Sequence, residues 1–216
     1  TIAVTPLEVA TAYATFANGG YKISPYLIEK IESGNQNIIF QADPEVACFH
    51  KCEGTKVAPR VVEERVTYIM NSILADAIRL GTGQKVMRAF ERRDIKGKTG
   101  TTNDADIWFS GYTTDLVATA WVGFSDNSPV GNREFGSTAP IAIWIDFMKQ
   151  VIRSEKKTTI LPTPNGLVTV RIDRDTGLRA DPQDPEGEFE IFRKEHAPAE
   201  LANGDLKAND SLQEIF

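Results

Sequence analysis

Two apolar runs, residues 107–112 (Ile-Trp-Phe-Ser-Gly-Tyr) and 116–124 (Leu-Val-Ala-Thr-Ala-Trp-Val-Gly-Phe), are separated only by Thr113-Thr114-Asp115. Three residues are too few for a crossover connection, so the spacing predicts antiparallel neighbours in one sheet. Residues 95–102 predict a third strand just ahead of them. Residues 139–152 then read as a helix that is apolar round most of its surface, with Ile141, Ile143, Trp144, Ile145, Phe147, Met148 and Val151. Such a helix needs cover, most simply from a sheet face. The expected fold class is therefore α+β, an antiparallel β-sheet flanked by helices.

The segments upstream fit that frame. Thr5 can cap a helix over residues 5–18, with Pro6 at its first position, Glu8 completing a capping box and Gly19-Gly20 ending it. Residues 26–31 and 38–42 flank Ser33-Gly34-Asn35 and predict a hairpin, and 43–58 read as loop. A second helix is expected from about Pro59 to Leu80, carried by the stripe Val62, Val66, Ile69, Ile73, Ala77 and Leu80 and closed by Gly81-Thr82-Gly83. The two early helices are expected to belong wholly or partly to a helical subdomain across a cleft from the sheet. Residues 125–137 are rich in Gly, Ser, Asn and Pro and read as loop. Past residue 153 the chain turns charged and Pro-rich. Residues 1–155 are thus expected as one domain and 156–216 as a weakly structured C-terminal extension, in which 167–172 can form one strand and Asp175-Thr176-Gly177 a turn.

Composition excludes several classes. The chain carries 24 Lys+Arg against 30 Asp+Glu, a formal charge of −6, with no basic stripe interleaved with aromatics, so no nucleic-acid partner is expected. No apolar run approaches the roughly 18 residues of a membrane span. The chain opens at Thr1 without Met or a signal-like apolar stretch, so any export signal or membrane anchor is expected upstream. Two cysteines, Cys48 and Cys52, are too few for a disulfide scaffold.

The sharpest chemical signal is Gly97-Lys98-Thr99-Gly100-Thr101-Thr102. A phosphate-binding loop would need Gly five positions before Gly97, where Arg92 stands, and a buried strand ahead of it, where Ala-Phe-Glu-Arg-Arg stands. That reading fails. The other reading is a Lys-Thr-Gly strand lining the active site of a serine acyl-transfer enzyme. Strand alternation puts Lys98 and Gly100 on one side and Thr99 and Thr101 on the other. Gly100 lets a substrate backbone approach closely. A lysine with threonine hydroxyls can hold a carboxylate through charge-assisted hydrogen bonds, and the Thr101 amide can donate to an oxyanion. Taken by itself the triplet reads sooner as an ordinary solvated strand.

Its surroundings change the weighting. Thr5-Pro-Leu-Glu-Val-Ala-Thr-Ala-Tyr-Ala-Thr-Phe-Ala-Asn-Gly-Gly20 resembles the segment that follows the first two catalytic motifs of class A penicillin-binding proteins. Gly81-Thr-Gly83, Gly97-Lys-Thr-Gly-Thr-Thr-Asn103, Trp108-Phe-Ser-Gly-Tyr112, Trp121-Val-Gly-Phe124 and the stretch from Ala139-Pro-Ile141 to Phe147-Met148 resemble the same family in the same order. The resemblance covers about residues 4–153. It implies the penicillin-binding/β-lactamase-like transpeptidase fold, in part, and the C-terminal portion of a bifunctional peptidoglycan synthase. Such enzymes pair an upstream glycosyltransferase with a serine DD-transpeptidase at the periplasmic side of the bacterial inner membrane. Peptidoglycan stem peptides and β-lactams are the implied partners, and no metal or organic cofactor is needed. The implied catalytic set is Lys98, Thr99, Gly100 and Thr101, and the implied substrate-binding set is Lys98, Thr99, Thr101 and Thr102.

The family's order is Ser-x-x-Lys, then Ser-x-Asn, then Lys-Thr-Gly. Here Ser154-Glu-Lys-Lys157 and Ser125-Asp-Asn127 both follow Lys98 and reverse it. The catalytic Ser-x-x-Lys must open a buried helix so that its lysine is desolvated. Ser154 follows a helix among charges, and Ser125 follows a strand. The nucleophilic serine and its lysine are expected before Thr1.

Weaker candidates remain. Cys48, His50 and Cys52 make a poor tetrahedral metal set, leaving a loop disulfide or two free thiols. Gly81-Thr82-Gly83 reads first as a helix end, with a secondary role for Thr82 open. Asp104 and Asp106 read as solvated loop carboxylates, the three tryptophans as packing, and His196 carries no assignment. Two other functions stay open. One is a β-lactamase, disfavoured because more than half the chain follows Gly100. The other is a non-catalytic cell-wall binding or scaffold module.

Overall fold

The computed structural model describes residues 3–49, 52–90, 92–102, 105–152, 161–183 and 185–202. They group into two compact units, Thr1–Pro162 and Thr163–Phe216.

The first unit is built on a three-stranded antiparallel sheet ordered β3-β4-β5: β3 is Lys96–Thr102, β4 Asp106–Tyr112 and β5 Val117–Gly123. The β3–β4 register pairs Lys98 with Ser110, Gly100 with Trp108 and Thr102 with Asp106, leaving β3 at an edge. Helix α4, Ala139–Val151, covers the face bearing Phe109 and Ala120, and buries Ile141, Trp144, Ile145 and Met148 with them. Trp144 packs edge-on to Phe109 at 5.2 Å between centroids, and its Nε1 donates to the Ala118 carbonyl at 3.0 Å. The indole N–H is thus satisfied inside an apolar core, which lets so large a ring be buried there.

The opposite face carries Tyr112, buried with Ala17 of α1 (Pro6–Ala17) and Leu74 of α2 (Glu64–Arg79). The capping box expected at Thr5 and Glu8 is present. Both early helices pack on the sheet itself, where a helical subdomain holding them wholly or partly was expected. A three-stranded sheet apolar on both faces must be covered twice, and α1 and α2 supply the second layer. Helix α2 also begins at Glu64, later than expected. The Val61 N–H donates to the Gly20 carbonyl and Lys22 to Pro59, so residues 59–61 are extended against the end of α1.

Three further elements complete the description. The hairpin β1 (Lys30–Glu32) and β2 (Ile38–Gln41) forms as expected, with narrower strands. A six-residue helix, α3 (Gln84–Ala89), follows Gly83 and was not foreseen. Cys48 and Cys52 are bridged, which settles the open choice between disulfide and thiols. His50 lies outside the described residues. Among those described, no helix is long and apolar enough to cross a membrane.

The described residues of the second unit hold more regular structure than expected. β6 (Leu167–Ile172) and β7 (Glu188–Arg193) form a two-stranded antiparallel sheet. The expected turn is there, organised by buried Asp173, whose Oδ1 accepts from the Thr176 N–H and hydroxyl at 2.9 Å each. The strand at 188–193 was missed although Glu-Phe-Glu-Ile alternates as a strand should. His196 closes the short 3₁₀ turn after β7.

Candidate active site

The Lys98-Thr99-Gly100 segment lies on edge strand β3, beside a groove of about 670 Å³. One wall is the sheet face bearing Lys98, Gly100, Trp108 and Trp121; the other is the approach to α1 and its start, including Val4 and Pro6. Thr99 and Thr102 also line the groove. Trp108 and Trp121 stand 5.9 Å apart and tilted, and Trp121 Nε1 donates to Asp106 at 2.7 Å. Only Trp144 of the three tryptophans is fully buried; the other two face the groove. Asp106 belongs to β4 and is hydrogen-bonded rather than a solvated loop acid, and Asp104 lies outside the described residues.

Each residue of the strand has a distinct surrounding. Lys98 is exposed, and its ammonium donates to the Thr99 carbonyl at 3.0 Å. The Thr99 hydroxyl is 2.6 Å from that of Thr82, in the turn between α2 and α3. The Thr101 hydroxyl accepts the Gly136 N–H at 3.2 Å. Gly136 belongs to the loop between β5 and α4, which crosses the β3–β4 pair here. A Cβ on Gly136 would stand 2.3 Å from the Trp108 carbonyl and 2.7 Å from that of Gly100, so only glycine fits. Lys85 of α3 braces the loop by donating to the Ser137 carbonyl at 2.6 Å.

The sequence missed Gly136 and gave Thr82 only an open role, because their partners lie 35 and 17 residues away along the chain. The flanking glycines marked the Thr82 turn, but only the fold shows what it faces. Ser125 is exposed in the turn after β5 and does not line the groove, while Ser154 and Lys157 lie outside the described residues.

The electrostatic setting of β3 is uneven. Burial holds the Lys96 ammonium below the ordinary lysine range, opposed by nearby Asp94 and reinforced by Arg79. Burial pushes the Tyr112 hydroxyl well up, with the neighbouring Tyr13 adding to it. Lys98, at the groove, is the exposed cation of the strand.

The family described as penicillin binding protein transpeptidase domain matches residues 1–142. Penicillin-binding protein 1A of Pseudomonas aeruginosa is 38% identical over 92% of this chain and 29% of its own length. Penicillin-binding protein 1A of Vibrio cholerae is 32% identical over 99% of this chain and 30% of its own. The crystal structure of penicillin-binding protein 1A from Haemophilus influenzae superposes with a TM-score of 0.82 at 34% identity, covering 93% of this chain and 33% of that one. The chain thus spans about three tenths of the curated relatives it matches, and its helices and antiparallel sheet are those of the same fold. By the match over residues 1–142 and these identities, the chain belongs to the penicillin-binding protein transpeptidase family.

Proposed function

We propose that this chain forms the carboxylate-binding wall and part of the oxyanion site of a serine DD-transpeptidase that cross-links peptidoglycan stem peptides and is acylated by β-lactams. The observation that carries the reading is Lys98-Thr99-Gly100 on an edge strand beside a groove, inside a chain of this family. Lys98 and the Thr99 hydroxyl bind the substrate's terminal carboxylate. The Thr99 carbonyl receives the Lys98 ammonium, and by the two-residue strand repeat the Thr101 amide points the same way, toward a substrate on that edge. Thr102 lines the same groove.

The nucleophilic serine and the lysine that takes its proton come from an upstream segment. The serine oxygen attacks the penultimate D-alanine carbonyl, and the tetrahedral oxyanion accepts from the Thr101 N–H. Collapse breaks the peptide bond, and the departing D-alanine amine takes the proton. An amine from a second stem peptide then attacks the ester carbonyl and forms the cross-linking amide, the bond to the serine oxygen breaks, and that oxygen takes the proton the amine gives up. Residues 1–155 are read as the C-terminal part of this domain and 156–216 as an extension beyond it. The whole protein is placed at the periplasmic side of the inner membrane, with its glycosyltransferase and anchor upstream. The bridge between Cys48 and Cys52 fits an oxidising compartment.

The test is the second-order rate of penicillin acylation in the full-length protein. Loss of a charge-assisted hydrogen bond predicts that Lys98→Ala slows it roughly ten- to a hundredfold, at unchanged thermal stability. Acylation at the wild-type rate would remove β3 from the active site. Rapid hydrolysis of the acyl-enzyme would favour a β-lactamase instead.

A further inference from the structure

The Thr82–Thr99 contact joins two segments that share no strand pairing. At 2.6 Å between oxygens it is a short hydrogen bond, and each hydroxyl has one proton to give. A carboxylate only accepts. If Thr99 gives its proton to a carboxylate, the Thr82–Thr99 bond survives only with Thr82 as donor.

The turn that holds Thr82 is fixed by its own backbone. The Leu80 N–H donates to Asp76 at 2.7 Å, and the Gly83 N–H to Ala77 at 3.0 Å. A Cβ on Gly83 would meet Ile78 Cδ1 at 2.5 Å, and Ile78 is fully buried. The exposed Thr82 side chain is therefore held toward β3 by a turn seated on the core.

We infer that Thr82 is a positioning residue for carboxylate recognition. Its hydroxyl donates to Thr99 Oγ1 and thereby aims the Thr99 proton at the substrate carboxylate. This rests on the proposed role of β3 and adds a residue that the Lys-Thr-Gly motif does not contain. Thr82 acts through Thr99, so removing it should cost nothing once Thr99 has lost its hydroxyl.

The experiment measures second-order acylation by benzylpenicillin in the full-length protein for Thr82→Val, Thr82→Ser, Thr99→Val and the Thr82→Val/Thr99→Val double variant, with Lys98→Ala as control. Thr82→Val is expected to slow acylation three- to tenfold. Thr82→Ser, which keeps the hydroxyl, should stay within twofold of wild type. The double variant should match Thr99→Val alone. Should Thr82→Val melt at a lower temperature than wild type, Thr82→Ala gives the same comparison without the branched side chain. An equal loss from Thr82→Val with and without the Thr99 hydroxyl would overturn the inference. So would a wild-type rate for Thr82→Val alongside slow Lys98→Ala and Thr99→Val variants. Wild-type rates for Lys98→Ala and Thr99→Val together would instead sink the reading of β3 itself, and this inference with it.

Discussion

Tyr112→Phe removes one oxygen atom from a buried polar network of the first unit. The Tyr112 side chain is fully buried, and its hydroxyl donates to Asn71 Oδ1 at 2.7 Å. Asn71 of α2, itself 6% exposed, donates through Nδ2 to the Phe16 carbonyl at 2.9 Å and the Thr67 carbonyl at 3.0 Å. Those two bonds hold the amide in one orientation, so it cannot turn to offer its NH₂ to the phenyl ring. The variant therefore strands a buried carbonyl oxygen while keeping the ring's packing. Orphaning one such acceptor costs about 1–3 kcal/mol, and the cavity left by a single hydroxyl adds little. We expect about 2 kcal/mol in urea unfolding of the full-length protein, with hydrogen exchange accelerating in α1, α2 and β4 together. A double-mutant cycle with Asn71→Ala should return about 1–2 kcal/mol of coupling, because each single variant already breaks the same bond. A loss below about 0.5 kcal/mol, the range of ordinary surface substitutions, would refute the assignment of this bond as the tie between the helices and the sheet.

Two further outcomes follow from β3 and its neighbours. Lys96 sits below the ordinary lysine value of 10.5 because burial disfavours its charge, so its contribution to stability is complete only above the unfolded value and is lost as pH falls through the folded one. The stability of Lys96→Met minus that of wild type should therefore fall as pH rises from neutral toward 10.5 in urea unfolding at a series of pH values, because only wild type gains; a rise would contradict the burial argument. Gly136→Ala cannot place its Cβ 2.3 Å from the Trp108 carbonyl, so the loop must lift and release the Thr101 hydroxyl. Penicillin acylation should fall at least tenfold, an order-of-magnitude expectation for misplaced catalytic groups, with a small change in melting temperature; a wild-type rate would show that the loop does not position Thr101.

What the sequence made legible was what repeats locally. The alternation in 107–112, the three-residue turn at 113–115 and the apolar circumference of 139–152 each occupy one window, and β4, β5 and α4 emerged within a residue or two of the expected limits. α3 escaped because a six-residue helix with one buried residue, Val86, shows less than two turns of period. The start of α2 was misplaced because Pro59 reads as a helix opening, whereas residues 59–61 instead meet backbone partners near Gly20. No local pattern could announce those partners.

The candidate site divides along the same line. The Lys98-Thr99-Gly100 triplet was legible because the chemistry needs adjacent residues on one strand. Its supports were not, because each reaches β3 from a different connection: Thr82 from the turn after α2, and Gly136 from the loop before α4. Both connections are anchored in the core under the sheet. Ile78 and Val86 flank the Thr82 turn and are fully buried in the same cluster as Ile141 of α4 and Phe109 of β4, the residue paired with Thr99. The distance between the two threonine hydroxyls therefore depends on how α3, α4 and the end of α2 that carries Ile78 pack together in that cluster. Packing at Ile78 and geometry at Thr99 are one physical problem, and a small residue beside the core, Gly83, is where they meet.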